Sequence, residues 1–399
     1  MSNSLKPAIR FKEFTNAWEQ RRFNELLIKI VDKGYPHMPT LTASVTGDVF
    51  RRIDTGYSVS VSNAGLMNYV RVLKNDFILH LSSFRSGLAF SDFDGITSPA
   101  YLVLRLIGQN VHNPKYWKHF FRTETFIKSL VPFTYGLRVG KTINLDELNY
   151  SVLNAPSFNE QTKIATLLES IFTLITLHQR KLEKLKNIKN MLLEKMFADE
   201  KTLKPAIRFK EFTNAWEQRK FENVFFNIQE KNNGTFDIKK YISVATNTFK
   251  TDLKIDNIKT IAGYSIFRVG DIAYEGHTNK EFPFGRFVQN TLKNGIISNI
   301  FTVFRPKIEF SLNFSKYWAN SNNVMLAALK RSSKSGIMMN SLDIEIINKE
   351  IIKLPELKEQ KRVGSLLSNI DSLITLHQRK LEKLKNIKNM LLEKMFVNA

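Results

Sequence analysis

Residues 174–197 read LITLHQRKLEKLKNIKNMLLEKMF, and residues 373–396 read the same, letter for letter. A perfect repeat of this length does not arise by chance, and its offset is 199 residues (373 less 174). A second repeat accompanies it. LKPAIRFKEFTNAWEQR at Leu5–Arg21 recurs at Leu203–Arg219, an offset of 198 (203 less 5). Each half of the chain therefore runs leader, middle block, long helix. Internal repetition of this kind sets the architecture before any local detail.

The repeated stretch extends into a longer helical pattern. Ile164, Leu167, Leu168, Ile171, Leu174, Ile175, Leu182, Leu185, Ile188, Leu192 and Met196 step mostly by three and four, the spacing of one helix face. His178 and Lys189 interrupt the stripe. No Gly or Pro falls within 157–197, and the second copy has only Gly364. Ser157 and Glu160, after Pro156, fit a capping box, while Pro355 suits the first turn of the second helix. About 40 residues at roughly 1.5 Å each make a rod of about 60 Å. A lone rod would leave its stripe wet. The remedy is the identical second rod, paired as a two-stranded coil through Leu174, Leu182, Leu185 and Leu192 and through Leu373, Leu381, Leu384 and Leu391. Antiparallel pairing would place the middle blocks at opposite ends. The basic face of Arg180, Lys181, Lys184 and Lys186 reads first as a solvated face.

The middle blocks, near 24–155 and 222–352, share a skeleton beneath unlike sequences. Asp76-Phe77-Ile78 answers Asp271-Ile272. Gly95-Ile96-Thr97-Ser98 with Tyr101, Val103 and Arg105 answers Gly295-Ile296-Ile297-Ser298 with Phe301, Val303 and Arg305. Lys115-Tyr116-Trp117 answers Lys316-Tyr317-Trp318, and Gly136-Leu137 answers Gly336-Ile337. YLVLRL and IFTVFRP alternate as strands do, while KYWKHFFRTETF and KYWANSNNVMLAALKR read as helical. Between these points the halves part company: LSSFRSGLAFSDFD stands in one, EGHTNKEFPFGRFVQNTLKN in the other.

The expected fold is α+β. Two mixed α/β domains stand in pseudo-twofold tandem, separated by two long antiparallel helices forming a coiled coil. The expected boundaries are 1–155 and 201–354 for the domains, with their leaders at 5–21 and 203–219, and 156–200 and 355–399 for the helices.

Lys and Arg total 59 against 37 acids, a net charge of +22 with pI near 9.8. The excess is spread along the chain, which points to a polyanionic partner, nucleic acid first. There is no cysteine, so disulfides and thiolate chemistry are excluded. The N-terminal stretch lacks the apolar core of a signal peptide, and YLVLRLIG falls far short of the roughly 20 apolar residues of a membrane span. A soluble cytoplasmic protein is expected.

The usual routes to catalysis are missing. GLRVGKT at Gly136–Thr142 looks like a phosphate-binding loop but has three residues between its glycines, where the backbone nest needs four. The following INLDELNY is a poor helix start. His112 and His119 lie seven apart without a carboxylate to complete a metal site, and are expected at the surface or half-buried. Asp271, Glu275 and His277 lie close together but do not make a nuclease. No hydrolase elbow, zinc-protease, dinucleotide or base-flipping motif occurs. No catalytic residue and no metal site is expected.

At this point the residues carry a family. Pro-x3-Glu-Gln-x2-Ile/Val-x2-Leu-Leu at 156–168 and 355–367, followed by Lys-Leu-x-x-Leu-Lys on each long helix, in the order reader, helix, reader, helix, resembles the specificity subunit of type I DNA restriction-modification systems, staphylococcal-type members above all. The resemblance spans nearly the whole chain. It implies that each middle block is a target recognition domain reading half of a bipartite, asymmetric site on double-stranded DNA. It implies that the paired helices set the half-site spacing and dock methyltransferase subunits. It also implies that catalysis resides elsewhere. S-adenosylmethionine, ATP and Mg belong to the modification subunits and the translocase/endonuclease subunits, and this chain binds no cofactor. The alternative is a free-standing sequence-specific DNA-binding protein.

Side chains at base edges read sequence, while Lys and Arg on phosphates supply affinity. The unlike loops are therefore the expected contact regions. They hold Arg51, Arg52, Arg85, Ser86, Arg138 and Lys141 in the first reader, and His277, Asn279, Lys280, Arg286, Arg331 and Lys334 in the second. Arg105 and Arg305 are shared, so they cannot encode a difference between readers. Tyr116, Trp117, Tyr317 and Trp318 read as core before they read as base-stacking groups.

Overall fold

The computed structural model describes residues 6–44, 46–56, 61–80, 86–108, 110–135, 142–199, 201–250 and 257–397. The chain divides into two units. One comprises Met1–Gln179 with Arg379–Ala399, the other Arg180–Gln378. Each long helix is thus shared: its first part belongs to its own half, its last part to the other.

The same sheet is built twice. In the first unit the antiparallel order is Leu27–Ile30, Tyr101–Leu106, Phe77–His80, Ala89–Phe90. In the second it is Phe225–Ile228, Thr302–Pro306, Ile272–Glu275, Arg286–Gln289. The central strand explains its near-continuous apolar sequence. Leu102, Leu104 and Leu106 face a large core with Trp117, Phe121 and Leu168, whereas Val103 faces a smaller one with Leu41, Val72 and Ile78. Both faces of the strand are covered.

The shared Asp and Arg positions meet. Arg105 donates through Nε and Nη2 to Asp76, both at 2.7 Å, and Arg305 donates to Asp271 at 2.8 and 2.9 Å. The same carboxylates accept the Leu73 and Arg268 amides. These arginines tie a turn to the central strand, which is a scaffold role.

The two helical stretches each break in two. KYWKHFFRTETF forms Pro114–Phe120 and Glu124–Ser129, because Asn113 and Thr123 each cap a new start with their side-chain oxygens. Its counterpart forms Leu312–Ala319 and Asn322–Ser332. INLDELNY contains a helix after all, Leu145–Leu148, because Asn144 caps it by accepting from Asp146 and Glu147. Tyr116, Trp117, Tyr317 and Trp318 are buried in the cores, so they are not available to stack on bases.

The long helices run Phe158–Lys195 and Leu357–Lys394, 38 residues each, or roughly 57 Å. Their caps differ from expectation. Ser157 Oγ accepts the Glu160 amide at 3.4 Å, but the Glu160 carboxylate does not turn back to close the box. It is taken by Arg10, which donates to both oxygens at 2.7 Å. Arg208 and Glu359 repeat the arrangement. Pro355 lies before the second helix, where its carbonyl accepts from Gln360 Nε2 at 3.0 Å.

The leader does more than clasp the helix start. The Ile9 amide donates to Lys394 O at 2.8 Å, satisfying the end of the other half's helix, and Ile207 does the same to Lys195 O at 2.9 Å. Helix ends leave carbonyls without intrahelical partners, and the repeated leader supplies one donor to each.

The seam is antiparallel. In the first unit Ile164, Leu168, Ile171 and Ile175 share a core with Leu391, Met395 and Phe396, with Leu381, Leu384 and Ile387 packed alongside. In the second, Leu185, Leu192, Met196 and Phe197 join Val363, Leu367, Ile370 and Ile374, with Leu182 alongside. Leu174 and Leu373 depart from expectation: each is 44% exposed. Successive helix positions point about 100° apart, and the seam takes Ile175 and Ile374 in their place. Gly364 is no weak point. A Cβ there would stand 2.6 Å from the Phe314 amide nitrogen, so the glycine permits close approach of the neighbouring helix.

Candidate nucleic-acid interface

Two electrostatic clamps hold the readers to the long helices. In the first unit His119 Nε2 lies 2.8 Å from Glu169 Oε1, with Lys118 at 3.5 Å. His112 and His119 are both buried rather than at the surface or half-buried as expected, and His119 has the carboxylate partner the sequence did not reveal. In the second unit Tyr317 donates to Asp371 at 2.5 Å, and Lys189 reaches the same carboxylate at 2.7 Å. Burial, then the Asp371 carboxylate, pushes the Tyr317 hydroxyl upward.

Burial lowers the His119 pKa, while the hydrogen bond from His119 and the nearby Lys118 charge hold Glu169 down at about 2 despite desolvation. Glu169 binds fewer protons folded than unfolded below its ordinary 4.5, so its stabilisation is complete above that value and is lost as pH falls toward 2. His119 acts in the same direction, starting below its ordinary 6.5. The stability difference between wild type and Glu169→Gln, followed by denaturant titration, should be constant above about pH 5 and shrink as pH falls. A difference independent of pH down to 2 contradicts the clamp.

The expected contact residues fall into distinct places. Arg51 ends a strand, Val49–Arg51, with its guanidinium 5.0 Å from the centre of the Phe93 ring. Arg52 opens the short helix that follows, and Ser86 is half-buried. Arg85, Arg138 and Lys141 lie outside the described residues, as does most of GLRVGKT.

In the second reader the structure brings most of the expected residues to one end of the sheet. Glu275 ends its strand buried, and its carboxylate holds His277 Nδ1 at 2.5 Å and Arg286 Nε at 3.5 Å. Arg286 also donates to Ala245 O at 2.7 Å and lies over the Phe282 ring. Asn279 shapes the loop, its Oδ1 accepting the Glu281 and Phe282 amides at 2.8 Å. His277, Asn279 and Lys280 are exposed on this loop. Arg331 and Lys334 are committed to partners: Arg331 makes a two-pronged pair with Glu350, and Lys334 reaches Asp343 at 2.6 Å. Their charges are part-neutralised, so they are weaker candidates than their sequence suggested.

The sequence reading missed the apolar groups at these tips. Ile337 and Met338 project from the turn between Ser333–Lys334 and Ser341–Leu342, and Ile53 projects beside Arg52. An apolar run beside a turn glycine, GIMM at 336–339, was the available signal. Among the described residues no cluster of three His, Asp or Glu side chains could hold a metal ion, and no helix is long and apolar enough to cross a membrane.

Residues 207–386 match the family described as the type I restriction modification DNA specificity domain. The fold is similar to that of the S subunit of the type I restriction-modification system from M. genitalium, with a TM-score of 0.57 and 12% identity over 99% of this chain and 100% of that one. The HsdS subunit from Thermoanaerobacter tengcongensis matches with a TM-score of 0.49 and 14% identity over 96% of this chain and 97% of that one. No curated protein sequence matches. Residues 207–386, just under half of the chain, carry a type I restriction modification DNA specificity domain.

Proposed function

We propose that the chain reads a bipartite, asymmetric target on double-stranded DNA, one half-site per reader, and brings methyltransferase subunits to it. The observation that carries this reading is the contrast within the repeat. The scaffold is kept in both halves, down to the Asp–Arg pair and the strand order, whereas the loops at the strand ends differ. Unlike readers imply unlike half-sites; identical ones would imply a palindrome. The reading blocks in this proposal are 1–155 and 201–354, and 156–200 and 355–399 form the spacer.

The chain directs chemistry without performing it. Methyl transfer from S-adenosylmethionine belongs to the modification subunits, and ATP- and Mg-dependent translocation and cleavage to the restriction subunits. The setting is the cytoplasm. Docking of the modification subunits is supported by what the seam leaves out. Leu174, Leu177 and Met390 of the first unit, and Leu373, Leu376 and Met191 of the second, stay exposed in identical sequence surroundings. Two equivalent apolar patches suit two copies of one partner.

Reader exchange is the decisive experiment. Residues 24–155 are replaced by the corresponding block of a related chain, and genome methylation is mapped in a host that supplies the partner subunits. One half of the methylated motif should change while the other stays. If both halves change, or neither, the two-reader assignment is wrong.

The spacer role gives a second expected result. Seven residues inserted after Gln179 and after Gln378 lie at the boundaries of the two units. They add about 10 Å of helix at roughly 1.5 Å per residue. At about 3.4 Å per base pair, the spacer between half-sites should lengthen by about three base pairs, read from the methylated motif. An unchanged spacer removes the ruler.

A further inference from the structure

We infer that Ile337 and Met338 form an apolar wedge that the second reader inserts at a base step of its DNA half-site. The inference rests on the DNA-specificity reading and adds a positioned, sequence-sensing element to it.

Exposure is the first observation. Ile337 is 107% and Met338 87% exposed, so neither side chain touches the body of the protein appreciably. Burying such a side chain is worth roughly 1.5–3 kcal/mol, and here the fold forgoes that gain twice in adjacent positions. Single exposed apolar residues are common on proteins and need no explanation. Two in tandem at the tip of a hairpin are a different matter.

Rigidity is the second. The hairpin is paired at Ser333–Leu342 and Lys334–Ser341. Its far side is locked against the loop that carries His277, Asn279 and Lys280. The Asn340 amide donates to Gly276 O at 2.9 Å, and a Cβ on Gly276 would stand 2.0 Å from Asn340 O. Only glycine permits this approach. The companion loop is braced in turn, by Asn322 Nδ2 donating to Glu281 O at 2.7 Å and by the Tyr274 hydroxyl donating to Phe284 O at 2.8 Å. The apolar tip and the polar loop are therefore held side by side.

Charge is the third. Lys330 precedes the tip in sequence and Lys280 lies on the loop braced against its hairpin, while Arg331 and Lys334 are paired with Glu350 and Asp343. An apolar tip in basic surroundings, on a chain of net charge +22, suits a polyanion whose interior is apolar. Stacked bases inside a phosphate cage answer that description. Ile and Met are among the side chains used to unstack a base step and kink the duplex. Because unstacking costs differ between steps, such a wedge reads sequence through deformability as well as contact.

The test uses the full chain with its methyltransferase partner. Methylome mapping first identifies the motif. Duplexes then carry 2-aminopurine, one position at a time, across the half-site assigned to the second reader by exchange of residues 201–354. The wild type should raise the fluorescence at one step as it binds. Ile337→Ser/Met338→Ser should abolish the rise and weaken binding at least tenfold, with an unchanged melting curve and unchanged association with the methyltransferase subunits. Equal affinity and an equal rise in the variant overturn the wedge. So does wild-type binding without a rise at any position, or a variant that loses the methyltransferase partner but keeps its DNA affinity. Absence of site-specific binding by the wild type removes the specificity reading itself, and is told apart by the wild-type arm alone.

Discussion

Removing residues 379–399 should unfold the first unit and leave the second standing. The segment is remote in sequence from the first reader, yet Leu391, Met395, Phe396 and Val397 are buried in that reader's core. Phe396 lies 5.4 Å from the Tyr116 ring and 5.8 Å from Phe120. At roughly 1.5–3 kcal/mol for each buried side chain, the four contribute on the order of 6–12 kcal/mol. A whole domain has a net stability of about 5–15 kcal/mol. The truncated first unit is therefore expected to lose its fold, and the Ile9 amide loses its acceptor as well. The second unit keeps its complement, because its plug is Leu192, Met196 and Phe197. Hydrogen exchange should show Phe77–His80 and Tyr101–Leu106 unprotected, with Ile272–Glu275 and Thr302–Pro306 still slow. Protection of the first pair at the wild-type level would sink the idea. The milder Phe396→Ala should cost about 3–5 kcal/mol, the usual range for truncating a buried Phe.

Arg305→Ala should destabilise the second unit by about 3 kcal/mol. Asp271 is 1% exposed and keeps only backbone donors once the guanidinium is gone. Removing one partner of a buried pair costs about 3–5 kcal/mol because a charge is left uncompensated. Arg305 is itself partly exposed, which favours the low end of that range. The double replacement Asp271→Leu/Arg305→Met removes both charges and should recover most of the loss. Arg105→Ala should act equally and independently on the first unit, through Asp76. Denaturant titration with unit-specific probes checks this; a loss below about 1 kcal/mol would contradict a scaffold role.

Much of the design was legible in the chain. The duplicated frame, the long helices and the strand character of YLVLRL followed from repetition and periodicity, because both leave regular traces in sequence. The paired spacing of Asp76 with Arg105 and of Asp271 with Arg305 was visible too, although not that the members touch. The partners of the candidate contact residues were not legible in the sequence. Arg331 and Lys334 looked free in sequence, but Glu350 and Asp343 reach them in space. The exposure of Ile337 and Met338 is likewise visible only in the folded chain.

The sequence alone determined that one scaffold is used twice, that two identical helices must cover each other's stripes, and that the chain carries a large positive excess along its length. These conclusions rest on identity, period and charge, which are properties of the chain by itself. Tertiary structure alone decided which half each helix end completes, why the leader is repeated, and which loop tips share one end of a reader. Those depend on contacts between residues remote in sequence, from Gly276 with Asn340 to Arg10 with Glu160 and Tyr116 with Phe396. Local pattern carries no record of such pairings, because the free energy that selects them is gained only when distant surfaces leave water together.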